Sequence, residues 1–569
     1  MQNQEIINQL KLASMLMELH EENAFKIRGY QNAVFNLDKV TVELATLSLE
    51  ELTGLEGIGK GIAAKIHDLC NKNEFAELNE LLEKTPKGII EMLDIKGIGP
   101  KKVRTIWKEL KIEDKESLLT ACNENKISAL KGFGEKTQEA IKLALVFTEA
   151  HKEKFLYAEA EESALKLEKD IQALKISDLV SLSGEIRRKL EVVETVQVII
   201  GHEDPTAVFK ALEKIPYLIK DEKLSAPFAW RGQGEAGIKT EIKVCAKADF
   251  VNYLFIHSAS SDHLKSEAKE GKSFFHILKS EKFSSEEELY KNLGLQHIEP
   301  EMREGLGELE LAREHKIPAL VQYKDLRGIL HNHSTYSDGS HSLEEMALYC
   351  KELGFEYLGI SDHSKTAFYA NGLQEFRVKE QHKEIDQLNK KLAPFKIFKG
   401  IESDILNDGA LDYEEEVLAS FDFIVASIHS NLKMTEEKAT TRLIKAIENP
   451  YTTILGHATG RLLLKREAYP IDHQKVIDAC AANNVVIEIN AHPRRLDMDW
   501  RWVRYAIEKG IMISINPDAH EKQGYWDMQY GVYMGRKAGL SKELTFNSLS
   551  LADIENHFTL KKKTSALKV

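Results

Sequence analysis

The stretch RGILHNHSTYSDG, residues 327–339, joins a short apolar strand pattern to a cluster of histidine, asparagine and aspartate. Six later runs repeat this design, with helical stretches between them: YLGISDHS, FKIFKGIESDI, FDFIVASIHS, TTILGHAT, VVIEINAH and IMISINPDAH. Strands that alternate with helices along a chain form parallel β/α units. We therefore predict that residues 326–569 form an α/β domain, most simply a closed barrel of seven such units.

Residues that commonly bind metals follow these predicted strands. Because the carboxyl ends of parallel strands meet at one mouth of a barrel, we expect these side chains to converge there. The candidate ligands are His331, His333, Asp338, His363, Glu402, His429, His457, Asp518 and His520. A single histidine at a strand end is more often a packing or surface residue, but here six strands contribute. Mixed imidazole and carboxylate ligands favour Zn²⁺, Mn²⁺ or Fe²⁺ over Mg²⁺, which prefers oxygen and water.

The run INAHPRRLD follows the sixth predicted strand and adds polar and basic groups to the same mouth. Asn490, His492 and Arg495 are placed to hold a substrate phosphate through charge-assisted hydrogen bonds. His492 is also a candidate for a tenth metal ligand or for a proton donor. The predicted catalytic residues are Glu402, His492 and Arg495.

Residues 1–150 read as consecutive helices with three copies of a glycine pattern: LEGIGKGIAAKI (55–66), IKGIGPKKVRTI (95–106) and LKGFGEKTQEAI (130–141). A Gly-x-Gly turn before a helix lets the backbone approach a phosphate, towards which the first N–H groups of the helix point. We predict that these turns, as in helix-hairpin-helix elements, bind the DNA backbone without reading bases. The plain alternative is a helical domain with glycine caps. The predicted DNA contacts are Gly57, Gly59, Gly97, Gly99, Lys101, Lys102, Gly132 and Gly134, with Lys96 in the same basic patch.

Lys65 also lies in the first copy of this pattern. A lysine amine can form a Schiff base with an opened abasic sugar, which makes Lys65 a candidate lyase residue. A lone lysine is more often a phosphate contact or a solvated surface residue, and both of those readings stay open.

Residues 151–325 mix helical segments with three runs that we predict to be β-rich: TVQVII, TEIKVC and NYLFIHS. Within them, GEIRRKLEVVETVQV (184–198) resembles the palm of family X DNA polymerases, an α+β nucleotidyltransferase fold. EIKVC, SASSDH and YKNLGLQHIEPEMREGLGELELA extend the resemblance through the palm and thumb. With the glycine repeats before it and the barrel after it, the whole chain resembles a bacterial family X polymerase that carries a PHP (polymerase and histidinol phosphatase) domain.

The chain departs from that family at the polymerase centre. Aligned on Gly184, Arg187 and Arg188, the family's two metal-binding aspartates, which are separated by one residue on a strand, are replaced by Thr195 and Gln197. The family serine becomes Glu185, and the third aspartate becomes Glu241. Phosphoryl transfer there needs two cations held by carboxylates. We therefore predict a degenerate site that neither holds Mg²⁺ nor polymerises; the alternative is an active repair polymerase rescued by Glu185, Glu194 and Glu241.

The resemblance implies a distorted seven-unit PHP barrel with three divalent cations, a mixture of Zn, Mn or Fe. His331, His333, Glu402 and Asp518 would hold the first, Glu402, His429 and His457 the second, and Asp338, His363 and His520 the third. The implied activity is that of a 3′–5′ exonuclease or 3′-end phosphodiesterase, with incision at abasic sites as a further reaction. The alternatives are a small-molecule phosphatase similar to histidinol phosphatases and a non-catalytic DNA-binding scaffold.

Bulk composition limits the remaining classes. The net charge of −13 disfavours a surface that coats nucleic acid throughout, so we expect DNA to be bound locally. No run of 18 apolar residues and no signal-like amino terminus is found, and the five cysteines are scattered. We expect a cytoplasmic monomer without membrane contact, with gapped, nicked or 3′-blocked DNA as its partner. The predicted domains are residues 1–150, 151–325 and 326–569.

Overall fold

The computed structural model describes residues 1–568 apart from residues 2, 38, 39, 41, 74 and 96, with side chains as far as residue 563. The chain divides into two compact units, Met1–Lys152 and Glu153–Val569. Among the described residues, no helix combines the length and the apolar character that crossing a membrane requires.

The first unit is helical, as the spacing of apolar residues predicts. Its helices are α1 (Asn3–Leu19), α2 (Ala24–Leu37), α3 (Leu49–Gly54), α4 (Lys60–Lys72), α5 (Ala76–Glu83), α6 (Lys87–Leu93), α7 (Pro100–Leu110), α8 (Lys115–Asn123) and α9 (Glu135–Ala150). The first two glycine pairs precede α4 and α7, and the third precedes α9. Fully buried residues such as Leu10, Ile66 and Ile106 join the helices in one apolar core.

The second unit begins with a mixed α/β region built on a five-stranded sheet of order β2-β4-β7-β6-β5. Its elements are β1 (Phe155–Leu156), α10 (Tyr157–Ala173), β2 (Val180–Ser183), α11 (Gly184–Arg187), β3 (Val192–Val193), β4 (Thr195–Gly201), α12 (Pro205–Leu212), β5 (Ile219–Lys220), β6 (Ala229–Gln233), β7 (Lys239–Cys245), α13 (Phe250–His257), α14 (Ser261–Lys265), β8 (Glu267–Lys269), β9 (Lys272–Ser273), α15 (Phe274–Ser280), α16 (Glu286–Asn292) and α17 (Glu308–Arg313). β4 and β7 are parallel neighbours, and Gln197 lies directly opposite Glu241.

One predicted strand of this region is wrong. The run NYLFIHS, residues 252–258, lies mostly in helix α13. An apolar run without alternation does not separate a strand from a buried helix. Here Phe250, Leu254 and Phe255 are buried at helical spacing, and the Asn252 side chain donates hydrogen bonds to Leu278 O at 2.7 Å and to Glu281 O at 2.6 Å. Side-chain packing against the thumb therefore decides the conformation.

The predicted barrel is confirmed. Its elements are β10 (Gly328–Ile329), α18 (Leu343–Glu352), β11 (Tyr357–Ile360), α19 (Glu375–Leu392), β12 (Lys396–Asp404), α20 (Glu415–Leu418), β13 (Phe423–Ser427), α21 (Glu436–Glu448), β14 (Ile454–Leu455), α22 (His473–Asn483), β15 (Val486–Asn490), α23 (Trp500–Glu508), β16 (Ile513–Asn516), α24 (Met528–Ala538) and α25 (Leu551–Lys568). Within residues 326–568 the seven strands pair in parallel in chain order, and a parallel bridge between Asn332 and Ala519 nearly closes the ring.

The amino-terminal end of the barrel is filled by aromatic side chains. Phe423 and Phe398 project inwards from neighbouring strands, and Phe558 of helix α25 packs on both, with ring centroids 5.3 and 5.1 Å away. Gly400 makes room for this cluster, because a Cβ atom there would lie 2.2 Å from the Phe423 ring. Helix α25 therefore plugs the end of the barrel opposite the predicted metal ligands.

The barrel packs against the palm and thumb through buried charges. Lys537, on α24, has a side chain with no solvent exposure, and its amine donates to Arg188 O at 2.9 Å and to Glu301 O at 3.1 Å. It also pairs with Glu304. The Trp500 indole donates to Glu191 at 3.2 Å. Residues 153–569 form one compact unit in this way, and the boundary near residue 325 stays a prediction from sequence.

Candidate metal centre

Glu402 lies at the centre of the barrel mouth. It is in β12, fully buried, and histidines from neighbouring strands surround it. Its Oε1 atom lies 2.9 Å from His457 Nε2 and 3.2 Å from both His429 Nε2 and His331 Nε2. Its Oε2 atom lies 3.0 Å from His363 Nδ1. One carboxylate therefore meets imidazoles that follow four different strands.

A second group of ligands continues this cluster outwards. His333 Nε2 lies 3.0 Å from Asp518 Oδ1, while Asp338 Oδ1 lies 3.4 Å from His520 Nε2 and 3.7 Å from His363 Nε2. The sets of mutually close donor atoms are His331, His333, Glu402 and Asp518; His363, Glu402 and His429; and His333, Asp338, His363 and His520. These sets contain eight of the nine residues predicted as ligands, and the ninth, His457, lies outside them but 2.9 Å from Glu402. The grouping differs from the predicted one, because His363 takes the place of His457 beside Glu402 and His429, and because both His333 and His363 occur in two sets.

Several donor atoms of this cluster have no hydrogen-bond partner. Among the described residues, Nε2 of His331, Nδ1 of His333, Nδ1 of His363 and Oε2 of Glu402 are buried and form no hydrogen bond, although some of them lie 3.0–3.2 Å from another donor atom of the cluster. Buried polar atoms are normally paired, since an unmet hydrogen bond in the interior is costly. A divalent cation would satisfy both the imidazole lone pairs and the carboxylate oxygens. The donor set therefore fits divalent cations.

The electrostatics of the cluster favour the ligand forms of Glu402 and His333 but not of every histidine. Burial opposes protonation of His331, His429 and His520, but neighbouring carboxylates raise the pKa of His331 above its usual range, that of His429 to about 10 and that of His520 to about 9. Burial opposes ionisation of Glu402, but the neighbouring His429 and His331 lower its pKa well below the usual range. Burial, and then the positive charges of His520 and His363, lower the pKa of His333 to about 3. At neutral pH the central carboxyl is therefore charged and His333 is neutral, as metal ligation requires.

Two of the candidate ligands have a backbone conformation that non-glycine residues rarely adopt. His331 has φ of 60° and Asp518 has φ of 52°, both in the left-handed region. Such conformations cost of order 1–3 kcal/mol each and cluster at functional sites. The fold thus tolerates strain at the two strand ends where these ligands project into the mouth.

The histidines are oriented by carboxylates that we did not predict. Glu488, fully buried in β15, lies 2.6 Å from His331 Nδ1 and accepts the backbone N–H of His457 at 2.7 Å. Asp404 lies 2.5 Å from His429 Nδ1. Carboxylates in this position fix the tautomer and ring orientation of a ligating histidine. The available signal was a charged residue inside the apolar run VVIEIN.

We predict that Glu488→Gln lowers the affinity of the centre for Mn²⁺ by about 10- to 100-fold, the usual effect of losing such an orienting partner. The amide removes the carboxylate charge that faces His331 Nδ1, the ring nitrogen directed away from Glu402 and Asp518. Titration calorimetry of the metal-free protein measures the change. The control is Glu508→Gln, at an exposed glutamate that ends helix α23. An unchanged affinity in Glu488→Gln would exclude an orienting role.

Arg495 and His492 lie at the rim with different partners. Arg495 Nε lies 3.4 Å from Asp518 Oδ2, which brings a guanidinium to the edge of the cluster. His492 Nδ1 accepts the backbone N–H of Arg494 at 3.1 Å. His492 belongs to none of the sets of mutually close donor atoms formed by the described residues. The geometry thus offers no support for a tenth ligand, and a proton-donor role stays a prediction.

In the palm, cationic side chains surround Glu241. Its carboxylate accepts hydrogen bonds from Gln197 at 2.8 Å and Arg231 at 2.7 Å, and Lys243 lies 2.9 Å away. Thr195 and Gln197 line one wall of a cavity of about 740 Å³ that also includes Glu241 and Arg231. The Glu241 carboxylate thus faces two cationic side chains, Arg231 and Lys243.

The paired arginines are also engaged. Arg187 makes a two-pronged contact with Glu286 at 2.7 and 3.0 Å, and the fully buried Arg303 binds the same carboxylate at 2.6 and 3.0 Å. Arg188 binds Glu304 at 2.9 Å. Both arginines therefore link the palm to the thumb.

An active polymerase would depend on two further carboxylates, Glu185 and Glu194. Both of them contact groups other than Glu241. Glu185 Oε2 accepts the backbone N–H groups of Glu194 at 2.7 Å and Thr195 at 3.1 Å. Glu194 pairs with Lys154 at 3.0 Å. Each carboxylate is therefore committed to a local partner at the start of β4.

The three glycine turns share one geometry. Gly57, Gly97 and Gly132 have φ of 75°, 96° and 85°, and the residues that precede α4, α7 and α9, namely Gly59, Gly99 and Gly134, provide no side-chain cap. The first N–H groups of each helix are thus left for another acceptor, such as a phosphate. Lys101 is 86% exposed at the second turn, where Lys102 lies 5.8 Å from the Phe133 ring; Lys96 is outside the described residues.

Lys65 is paired with Glu77, which also accepts a hydrogen bond from Tyr30 and pairs with Lys26. Burial opposes ionisation of Glu77, but these partners lower its pKa to about 2. The amine of Lys65 therefore lies against a charged carboxylate. The geometry offers no support for the lyase role, which stays a prediction.

Comparisons with known proteins assign these parts to families. Residues 1–75 match a helix-hairpin-helix domain, residues 89–146 a SAM-like helix-hairpin-helix tandem, and residues 330–492 the PHP domain. A probable phosphatase of Thermoanaerobacter sp. (strain X514) is 26% identical over 41% of this chain and 94% of its own length. One of Acetivibrio thermocellus is 31% identical over 33% of this chain and 78% of its own.

A relative of full length joins these parts in one protein. The DNA polymerase/3′–5′ exonuclease PolX of Bacillus subtilis (strain 168) is 34% identical over 98% of this chain and 99% of its own length. The match spans the helix-hairpin-helix unit, the mixed α/β middle and the barrel with its clustered histidines and carboxylates. The chain therefore belongs to the bacterial PolX family, whose members join helix-hairpin-helix elements to a carboxy-terminal PHP domain.

Proposed function

We propose that the chain is a metal-dependent DNA phosphodiesterase that acts on 3′ ends, with abasic sites as a second substrate, and that its palm does not polymerise. The observation that carries this proposal is the contrast between two carboxylates. Glu402 lies among histidines with unpaired donor atoms, whereas Glu241 is already neutralised by Arg231 and Lys243. Cations fit the first environment and not the second.

The chemistry of the barrel follows from its donor set. Divalent cations bound there supply positive charge for the phosphoester oxygens and a nucleophile at neutral pH. Glu402 provides the shared negative charge, while Glu488 and Asp404 hold the rings of His331 and His429. Arg495, at the rim, offers a guanidinium to the phosphate of the strand end. The glycine turns of the first unit hold the DNA backbone through helix N–H groups.

Polymerisation needs a different arrangement. Two cations clamped by carboxylates must bring the nucleophile and the triphosphate together. Thr195 and Gln197 carry no charge, and the two arginines contact Glu286 and Glu304. The palm is therefore expected to act as a structural part of the DNA clamp.

A labelled gapped duplex, incubated with Mn²⁺ in the presence and in the absence of nucleotides, tests both halves of the proposal. We expect the 3′ strand to shorten in both reactions and to grow in neither. The same incubation with a duplex that has a blocked 3′ end, and with a duplex that contains an abasic site, tests whether these are further substrates. Growth of the strand that Glu241→Gln abolishes would show that the palm polymerises.

A small-molecule phosphatase is the second candidate, favoured by the probable phosphatases that match most of their own length to the barrel. DNA binding releases counterions and weakens steeply with salt, whereas hydrolysis of a small phosphomonoester does not depend on such contacts.

We predict that Lys101→Glu weakens DNA binding and lowers its salt dependence by about one released ion, with Lys11→Glu on helix α1 as the control. Fluorescence anisotropy at several salt concentrations measures this. Equal affinities for the two variants would favour the phosphatase.

A further inference from the structure

Two large aromatic side chains are exposed beside the metal centre. Phe368 is 82% exposed and Tyr369 is 71% exposed, on a short 3₁₀ turn, Phe368–Ala370, that follows the candidate ligand His363. The Tyr369 ring centroid lies 6.2 Å from that of His363. Adjacent exposed aromatic residues at a catalytic mouth indicate a contact surface for a ligand. We call this pair the aromatic rim.

The backbone beneath the aromatic rim is held firmly. Thr366 donates from its backbone N–H to Asp412 at 2.7 Å and from its hydroxyl to Asp404 at 3.0 Å. Leu373 N donates to His363 O at 2.8 Å, which closes the loop at the ligand itself. Gly372 packs so closely that a Cβ atom would lie 1.9 Å from Ser364 O. The exposed rings therefore stand on a rigid base rather than on a loose loop.

This base is shared with the metal centre. Asp404, which holds Thr366, also orients His429, and Ser364 N donates to Glu402 O at 3.0 Å. The Tyr369 ring lies beside that of His363, with centroids 6.2 Å apart, while most of the side chain borders solvent. The aromatic rim therefore adjoins the candidate ligands on the solvent side.

We infer that the aromatic rim stacks on the bases of the last nucleotides of a DNA strand whose terminal phosphodiester lies at the metal centre. The inference rests on the proposed DNA phosphodiesterase function and adds to it the way in which the strand end is held. Aromatic rings stack on every base, so this contact holds a strand without reading sequence. Paired bases are already stacked in the duplex, so the rim favours single-stranded or frayed 3′ ends.

The test compares two oligonucleotides that differ only at their last two positions. One is an ordinary single strand; in the other, propanediol spacers replace the last two nucleosides, so that the phosphodiesters remain but neither a base nor an abasic sugar is present. Phe368→Ala is expected to lower kcat/KM on the ordinary strand by about 10-fold or more, mainly through KM, since stacking on one base accounts for a factor of this order. On the spacer strand the variant should equal the unaltered protein. Phe368→Trp should keep the activity, and Phe368→Leu should behave as Phe368→Ala.

A binding measurement separates failure of the inference from failure of the proposed function. A strand with 2-aminopurine at its 3′ end is added to Glu402→Gln, with and without Phe368→Ala, and loss of base fluorescence reports stacking. Quenching that requires Phe368 supports the aromatic rim, even where neither strand is cleaved and the phosphodiesterase proposal fails. Equal quenching in both proteins, or equal loss of kcat/KM on both strands, overturns the inference.

Discussion

Glu402→Gln is expected to lower hydrolysis of a DNA 3′ end and of a small phosphoester alike, by about 10³-fold or about 4 kcal/mol in the activation barrier. Glu402 faces His331, His363, His429 and His457 at 2.9–3.2 Å, so no other carboxylate can take its place among them. The amide keeps the shape of the side chain and removes its charge. Initial rates with Mn²⁺ on both substrates, together with the bound metal content, measure the effect.

The control for this variant is Glu416→Gln, an exposed glutamate in α20 of the same barrel. It should keep full activity and full metal content. Loss of metal in Glu402→Gln without loss of activity would mean that the cluster is not the catalytic centre. Loss of DNA cleavage alone would place Glu402 in substrate binding rather than at the reacting phosphate.

Glu286→Gln is expected to destabilise the palm and thumb by about 3–5 kcal/mol, since it leaves buried cations without a counter-charge. Arg303 is fully buried over the Phe255 ring, 4.4 Å from its centroid, and Glu286 is the carboxylate that it contacts together with Arg187. Hydrogen–deuterium exchange in α16 measures the free energy of local opening. The control is Glu310→Gln, whose 3.6 Å pair with Arg313 is exposed and should contribute little.

This prediction has a defined pH dependence. Burial opposes ionisation of Glu286, but Arg303 and Arg187 lower its pKa from 4.5 to about 2. A carboxyl whose pKa is lowered on folding contributes its stability above the unfolded value and loses it as pH falls. The difference in the free energy of opening between the unaltered protein and Glu286→Gln should therefore be largest above pH 4.5 and decrease towards pH 2. A difference that does not change with pH over this range would contradict the ion-pair explanation.

The ligands of the metal centre could be predicted because each follows an apolar strand pattern in the chain. Once the strands are parallel and in order, residues such as His331, Glu402 and Asp518 reach one mouth whatever the exact strand bounds. The substitutions at Thr195 and Gln197 were visible for a similar reason, since alternation along one strand fixes which side chains share a face.

Other features depend on neighbours that are distant in the chain. Glu488 and Asp404 were missed because a single acidic residue inside an apolar run does not show which histidine it will meet. Arg231 faces Glu241 only through the register of β6 on β7. The helix α13 was predicted as a strand because apolar content without alternation fits both conformations. Cross-strand pairing and side-chain packing decide these features, and a local sequence pattern shows neither of them.

Phe558 and its aromatic neighbours close the barrel at the end opposite the candidate ligands. Under the proposed function, a DNA strand end and the nucleotide released from it would therefore enter and leave on the same side of the barrel.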